Sequence, residues 1–296
     1  MYLAVAAALA SAACFAAGSA IQHRAAHTAA GTGESGVALF ARLIRRRSWI
    51  FGLVLSAVAF TLHVFALSQG DLALVQPVIV SGVVFAVLIR AGLDRMLPPR
   101  PVLVWLPLTW AGLALFLVVR PDGVTGRQDP GGAIWFVTGT VLVVVFLQWL
   151  VTRVSAARRK GLLLGAASGA LFGVVAGLAK TVVGRLDQGA AELLTHWSVY
   201  ALAVVGVWAV LLNQRAYQVA RLSVSAPILN ITEVFVAVGF GIVVFGEKFG
   251  ATPGVLVGEL VGLAVVVLGV YRLAAIPDED ELGTNAPAEA GRSTVA

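Results

Sequence analysis

The chain has 296 residues, of which 59% are hydrophobic and only 12% are charged, and its formal net charge is +6. A soluble domain carries about 25% charged residues, so this composition excludes an ordinary soluble protein and indicates an integral membrane protein. The basic residues lie in short clusters between apolar runs and form no continuous basic face, so the positive charge does not indicate a nucleic-acid partner. With Cys14 as its single cysteine, the chain has neither an internal disulfide framework nor a cysteine metal site.

Nine apolar runs are about as long as the roughly 20 residues that a helix needs to cross a bilayer. In chain order they cover residues 2–22, 48–68, 72–90, 102–119, 131–151, 161–183, 196–215, 224–245 and 254–273. They predict an all-α integral membrane protein with about nine transmembrane helices. The first run has no basic segment before it, so we interpret it as a retained helix and not as a signal peptide.

Two polar stretches lie outside these runs. The cytoplasmic linker 23–47 ends in GVALFARLIRRR, and residues 36–47 predict an interfacial amphipathic helix with its arginines at the headgroups. The alternative is a tenth, short spanning helix there. His23 and His27 have the spacing of one helix turn, but without a neighbouring carboxylate or cysteine they do not indicate a metal site. The tail 274–296 is polar and is expected to be disordered and cytoplasmic.

The distribution of basic residues predicts the orientation. If the N-terminus is outside, 16 of the 21 lysines and arginines fall in segments on the inner side. Such an excess marks the cytoplasmic face. We therefore expect a multi-pass protein of the inner (plasma) membrane, with its N-terminus outside, its C-terminus cytoplasmic and anionic lipids at its basic inner face.

The two halves of the chain are similar to each other. A shift of 150 residues superposes 48–77 on 198–227 with Pro77 on Pro227, and a shift of 157 superposes Ser11 on Ser168. Each half then has four helices: helix 1–22 with the helices of 48–119, and the helices of 161–273. The connector helix 131–151 inverts the second half, and inverted repeats with prolines at matching positions are typical of secondary transporters.

Three stretches resemble the drug/metabolite transporter superfamily, and within it the NIPA-type magnesium transporters and the EamA-like branch. They are WIFG…HVFALSQGDLALVQPV, GVVAGLAKTVVGRLDQG and NQRAYQVARLSVSAPI…VVFGEKF. Lys180 falls at a family lysine, and Gly246-Glu247 is similar to a "GE" pair at a helix end of that superfamily. The resemblance implies a nine-helix fold with two inverted repeats and transport by alternating access. Where the NIPA-type second helix carries Glu three residues before an Asn, this chain has Phe60 and His63.

Glu233, with Asn230 and Thr232, is the leading candidate for the substrate or ion pathway. It lies roughly 13 Å along the helix that begins at residue 225, near the bilayer midplane. A carboxylate there costs at least about 2.5 kcal/mol on insertion scales, so it needs a polar surrounding and a partner. The alternative role is a structural hydrogen bond between helices. Pro227 and Pro77 free backbone carbonyls, which either bind a cation or only bend their helices.

Four further residues are predicted near the pathway. Glu259 either lines it in the outer third or pairs with a lysine. His63 is either proton-linked or a buried, hydrogen-bonded histidine. Gln76 is expected to join helices more than to bind a ligand. Lys180 is either a counter-ion of Glu233 or, in the preferred interpretation, extends to the outer headgroups.

These observations predict a secondary transporter of a small solute or ion, which is not an enzyme and needs no cofactor. No Walker loop, nucleophile elbow or catalytic acid pair is present in the sequence. One alternative is transport of magnesium or another divalent cation. A second is a non-transporting membrane scaffold or accessory subunit. The oligomeric state is open, with a homodimer as one option.

Overall fold

The computed structural model of the protein describes residues 1–27, 45–94, 100–119, 129–220, 222–250 and 252–274. The predicted amphipathic segment 36–47 lies outside the described residues as far as residue 44, and the predicted tail lies outside them from residue 275. The side chains of His23 and His27 also lie outside the described part.

The described residues form eleven α-helices and one 3-10 turn at Leu186–Gln188. In chain order the helices are α1 Tyr2–His27, α2 Arg47–Gln69, α3 Leu72–Val80, α4 Gly82–Asp94, α5 Arg100–Val119, α6 Pro130–Arg153, α7 Ala157–Val183, α8 Ala190–Thr195, α9 Trp197–Val219, α10 Leu222–Phe245 and α11 Pro253–Ala274. Within the described ranges, nine spans are long and apolar enough to cross a membrane, and α3 and α4 together make one of them. The prediction of an all-α membrane protein with nine apolar spans is confirmed to this extent.

The third span differs from its predicted continuous helix because α3 and α4 are separated at Ser81. Pro77 lies inside α3 and has no N–H to donate to the helix. The Ser81 N–H bonds to the carbonyl oxygen of Pro77 at 3.1 Å, and its hydroxyl donates to the carbonyl of Val78 at 2.6 Å. Pro227 lies inside α10, which is continuous. The two prolines at matching positions therefore differ in their surroundings: the helix is interrupted after Pro77 and is continuous after Pro227. Gly82 follows Ser81, and the 150-residue shift superposes it on a threonine in α10.

In each predicted half of the chain, the first helix packs on the two spans that follow it. α1 packs on α2 and on the α3–α4 span, and α7 packs on α9 and α10. Ser11 in α1 donates a buried hydrogen bond of 2.7 Å to the carbonyl of Ala59 in α2. Ser168 in α7 donates one of 3.0 Å to the carbonyl of Ala209 in α9. α5 and α11 pack mainly on each other, and α6 packs on α7 and α10.

A stripe of glycines brings the backbones of α7 and α10 into contact. Glycine occurs at every fourth position of α7, at Gly161, Gly165, Gly169, Gly173 and Gly177. A Cβ added at Gly169 would overlap the carbonyl of Leu229, and one at Gly173 would lie 2.8 Å from the carbonyl oxygen of Glu233. Small residues at this spacing let membrane helices approach closely. The stripe therefore fixes the position of the α10 backbone at Glu233.

Candidate functional site

A cavity of about 490 Å³ lies among α1, α2, the α3–α4 span, α7 and α10. Most of its wall is apolar. Ser19, His63, Asn230 and Glu233 are the polar residues among those that line it. The cavity has contributions from both predicted halves of the chain, so it lies where a pathway between two repeats is expected.

Glu233 places its carboxylate in this cavity from the middle of α10. It is eleven residues after Leu222 and twelve before Phe245, the two ends of that helix. Among the described residues, no hydrogen bond or ion pair reaches the carboxylate, which faces a mostly apolar wall. A carboxylate so placed is stabilised by a cation or by a proton, because no lysine or arginine lines the described wall and its other polar side chains make no hydrogen bond to the carboxylate.

Two other predicted residues share the cavity with Glu233. Asn230, one helix turn earlier, lines it from α10, and His63 lines it from α2. The Nε2 atoms of His63 and Gln76 lie 3.5 Å apart. Gln76 is fully buried behind the wall, and its Oε1 has no hydrogen-bond partner in the described part of the chain. The structure therefore brings three of the predicted residues, Glu233, Asn230 and His63, into one cavity and places Gln76 beside His63.

The remaining predicted residues do not line the cavity. Thr232 is half-buried on another face of α10, and Pro77 and Pro227 are buried within their helices. Glu259 is completely buried in α11, where its Oε2 accepts a hydrogen bond of 2.7 Å from the Gly250 N–H. Glu259 thus holds the segment that leads into its own helix.

Lys180 differs from both interpretations drawn from the sequence. Its ammonium lies 2.8 Å from the Glu247 carboxylate, 3.8 Å from the Asp71 carboxylate and 3.0 Å from the carbonyl oxygen of Gly70. Only 11% of the Lys180 side chain and 1% of the Glu247 side chain are exposed. The expectation that Lys180 extends to the headgroups is wrong, and it is not the counter-ion of Glu233, because carboxylates at the α2–α3 junction and beyond α10 hold it.

Glu247 is the functional candidate that the sequence analysis did not select. The two oxygens of its carboxylate accept hydrogen bonds of 2.8 and 2.9 Å from the N–H groups of Leu72 and Ala73, at the beginning of α3. A carboxylate is favoured there by the unpaired N–H groups and the dipole of a helix N-terminus. Gly246, with a φ of 61°, ends α10 and turns the chain so that Glu247 reaches α3. The sequence signal for this contact was the Gly246-Glu247 pair itself.

The donor set does not favour a multivalent metal ion. Among the described residues, no group of three or more His, Cys, Asp or Glu could hold one. Magnesium requires near-octahedral oxygen coordination, and calcium six to eight oxygens. The side chains of the described cavity wall offer one carboxylate, one amide, one hydroxyl and the His63 imidazole, which are too few oxygen ligands for either ion.

Comparison with other proteins gives a relative without a described function. The chain is 29% identical over 275 residues to an uncharacterized protein of Corynebacterium glutamicum, and the match covers 92% of this chain and 94% of the relative. No protein-family model matches the chain. No solved structure matches it either. The similarity spans nearly the whole chain.

Proposed function

We propose that the protein is a secondary transporter of a small solute or ion that works by alternating access, with the fold of the drug/metabolite transporters. The observation that carries this proposal is the cavity with the Glu233 carboxylate at mid-helix and without an ion-pair partner in the described residues. Such a group is not expected in a membrane scaffold, because an unpaired carboxylate at this depth costs free energy without stabilising the fold.

Equivalent hydrogen bonds support two repeats. Ser11 and Ser168 superpose under the 157-residue shift, and Ala59 and Ala209 superpose under the 150-residue shift. In each half the serine of the first helix donates to the carbonyl of the alanine in the second. The same polar contact thus occurs at matching positions of both halves.

A reciprocal contact supports a two-fold relation between the halves. Gly112 in α5 and Gly262 in α11 superpose under the 150-residue shift. A Cβ at Gly112 would lie 3.1 Å from the carbonyl oxygen of Gly262, and a Cβ at Gly262 would lie 2.9 Å from that of Gly112. Reciprocal contacts of this kind are what a two-fold axis produces. With the odd connector α6, they favour the inverted arrangement.

The two halves pack unequally, and alternating access requires such a difference. The glycines of α7 superpose on the alanines at positions 4, 8, 12, 16 and 20 of α1. Ala12 and Ala16 line the cavity, whereas their counterparts Gly169 and Gly173 touch the α10 backbone. We infer that the cavity lies beside the more loosely packed half, and that the halves exchange packing when the pathway opens to the other side.

The Lys180–Glu247 pair is proposed to close the outer side. It links α7 and the segment after α10, both in the second half, to the α2–α3 junction of the first half. In the orientation expected from the basic residues, this junction is at the outer surface. Ala179, the residue before Lys180, lines the cavity. Breaking the Lys180–Glu247 pair would therefore move the cavity wall directly.

Cysteine accessibility tests alternating access without knowledge of the substrate. Single cysteines replace Ser19 or Ala176, two residues of the cavity wall, in a Cys14→Ala background. A membrane-impermeant thiol reagent is applied to right-side-out and to inside-out vesicles. We expect both positions to react from both sides, because the cavity opens to each in turn. Val144→Cys is the control, since Val144 is fully buried in α6 away from the cavity.

Reaction of both cavity cysteines from one side alone would contradict alternating access and leave a one-sided pocket. No reaction at either position, with normal expression, would favour the scaffold or accessory subunit. Reaction at Val144→Cys would mean that the fold had opened, and the other labels would then not support transport.

A further inference from the structure

We propose that the cavity binds an organic cation that has one positive charge and an apolar body able to pack against aromatic rings. The inference rests on the proposed function and adds to it the chemical class of the substrate.

The charge of the site comes from Glu233. No lysine or arginine is among the residues that line the cavity in the described part of the chain. Among the charged groups of neighbouring helices, Lys180 is held by Glu247, and Glu259 on α11 accepts from Gly250. The site therefore carries one unit of negative charge when Glu233 is ionised. It attracts a ligand with one positive charge and repels anions.

Two further titratable groups lie near Glu233. His63 lines the same cavity from α2 and contacts Gln76. Tyr217 on α9 interacts electrostatically with Glu233. Neither is a permanent cation, so neither neutralises the Glu233 carboxylate as a lysine would. The positive charge of a bound ligand therefore neutralises the Glu233 carboxylate.

The apolar wall selects the body of the ligand. Phe15, Phe60 and Phe172 line the cavity from three different helices, α1, α2 and α7. The face of an aromatic ring attracts an organic cation by about 0.5 to 2 kcal/mol, depending on desolvation. A bare metal ion would lose its water in such a wall without gaining the oxygen ligands that it requires. A quaternary ammonium group has no N–H donors and is weakly hydrated, so it loses little hydration when it enters a cavity lined by these three rings.

The volume is consistent with a small organic molecule. Small-molecule sites occupy roughly 300 to 1,000 Å³, and this cavity has about 490 Å³. A single dehydrated metal ion would leave most of that space empty. The size therefore favours a ligand with an apolar body of several carbon atoms.

Calorimetric titration of the full chain in lipid nanodiscs tests the proposal. The probes are phenyltrimethylammonium, its uncharged carbon isostere tert-butylbenzene, and magnesium chloride. We expect the ammonium ion to bind, and Glu233→Gln to weaken it by about tenfold or more, equivalent to about 1.4 kcal/mol. Glu233→Asp, which keeps the charge, should retain part of the affinity. Phe172→Leu, which removes a ring at similar volume, should weaken binding about threefold.

The matched control is Glu192→Gln, because Glu192 is exposed on α8 and does not line the cavity. It makes the same chemical change and should bind the ammonium ion like the wild type. tert-Butylbenzene should not distinguish wild type from Glu233→Gln.

Failure of the wild type to bind phenyltrimethylammonium, or equal binding by Glu233→Gln, overturns the proposal. Competitive displacement by magnesium overturns it in favour of a divalent cation. If the cation does not bind but the cavity cysteines react from both sides, the substrate class is wrong and alternating access stands. If the cysteines react from one side alone, the transport function fails whatever the titration gives.

Discussion

Lys180 and Glu247, separated by 67 residues in the chain, form an ion pair of 2.8 Å that joins α7 to the segment after α10. The ammonium also lies 4.9 Å from the centre of the Phe245 ring. Glu247 simultaneously accepts from the first N–H groups of α3. One side chain thus joins the end of α10, the side of α7 and the start of α3. Removal of Lys180 therefore leaves the buried Glu247 carboxylate without its ion-pair partner.

Lys180→Met is expected to lower the thermal unfolding temperature strongly. Removing one partner of a buried ion pair costs about 3 to 5 kcal/mol, since the other charge stays buried. The double variant Lys180→Met/Glu247→Gln should recover part of that loss, because the Glu247 charge is removed together with its cation. The measurement is thermal unfolding of the purified protein in detergent. Lys160→Met, near the opposite end of α7, is the control. A single variant as stable as the wild type would exclude a structural role for the pair.

Gly173→Ala is expected to destabilise the protein and displace Glu233. A Cβ at this position would lie 2.8 Å from the Glu233 carbonyl oxygen and 2.9 Å from the Ala237 nitrogen. Overpacking of a tight interface costs about 1 to 3 kcal/mol. Gly139→Ala in α6 is the matched control, because no atom lies within 4 Å of the added Cβ. Unfolding temperature and cysteine accessibility at the cavity wall measure both effects. Equal behaviour of the two variants would mean that α7 and α10 are less closely packed than the structure has them.

Thiol labelling is expected to show that the N-terminus lies outside the cell. Single cysteines at Gln69 and Gln188 should react with an impermeant reagent from outside, and one at Ala156 should react only from inside, in a Cys14-free background. All three positions are exposed at ends of spans. Gln188 is preferred to Gly189, whose φ of 95° would strain any side chain. The opposite pattern would reverse the orientation, and with it the assignment of the Lys180–Glu247 pair to the outer surface.

Some of the site was predictable because its features are local. The glycine at every fourth position of α7 is a pattern in the sequence that indicates a close-packing face. Glu233 stands out because a charged residue in the middle of an apolar run is rare. Glu259 has the same local appearance, yet the structure buries it as the acceptor for Gly250. Sequence pattern alone cannot separate these two acids, since the difference depends on which helices surround them.

The sequence by itself determined the nine apolar spans found in the described residues, because hydropathy and length decide membrane insertion one segment at a time. It also placed Glu233 at the middle of α10. The tertiary structure decided which distant side chains meet. It placed His63 in one cavity with Glu233, which lies 170 residues later in the chain. It also paired Lys180 with Glu247 and not with Glu233. The physical reason is that apolar helices can pack on one another in many registers, and only their packed arrangement decides which buried polar groups compensate one another.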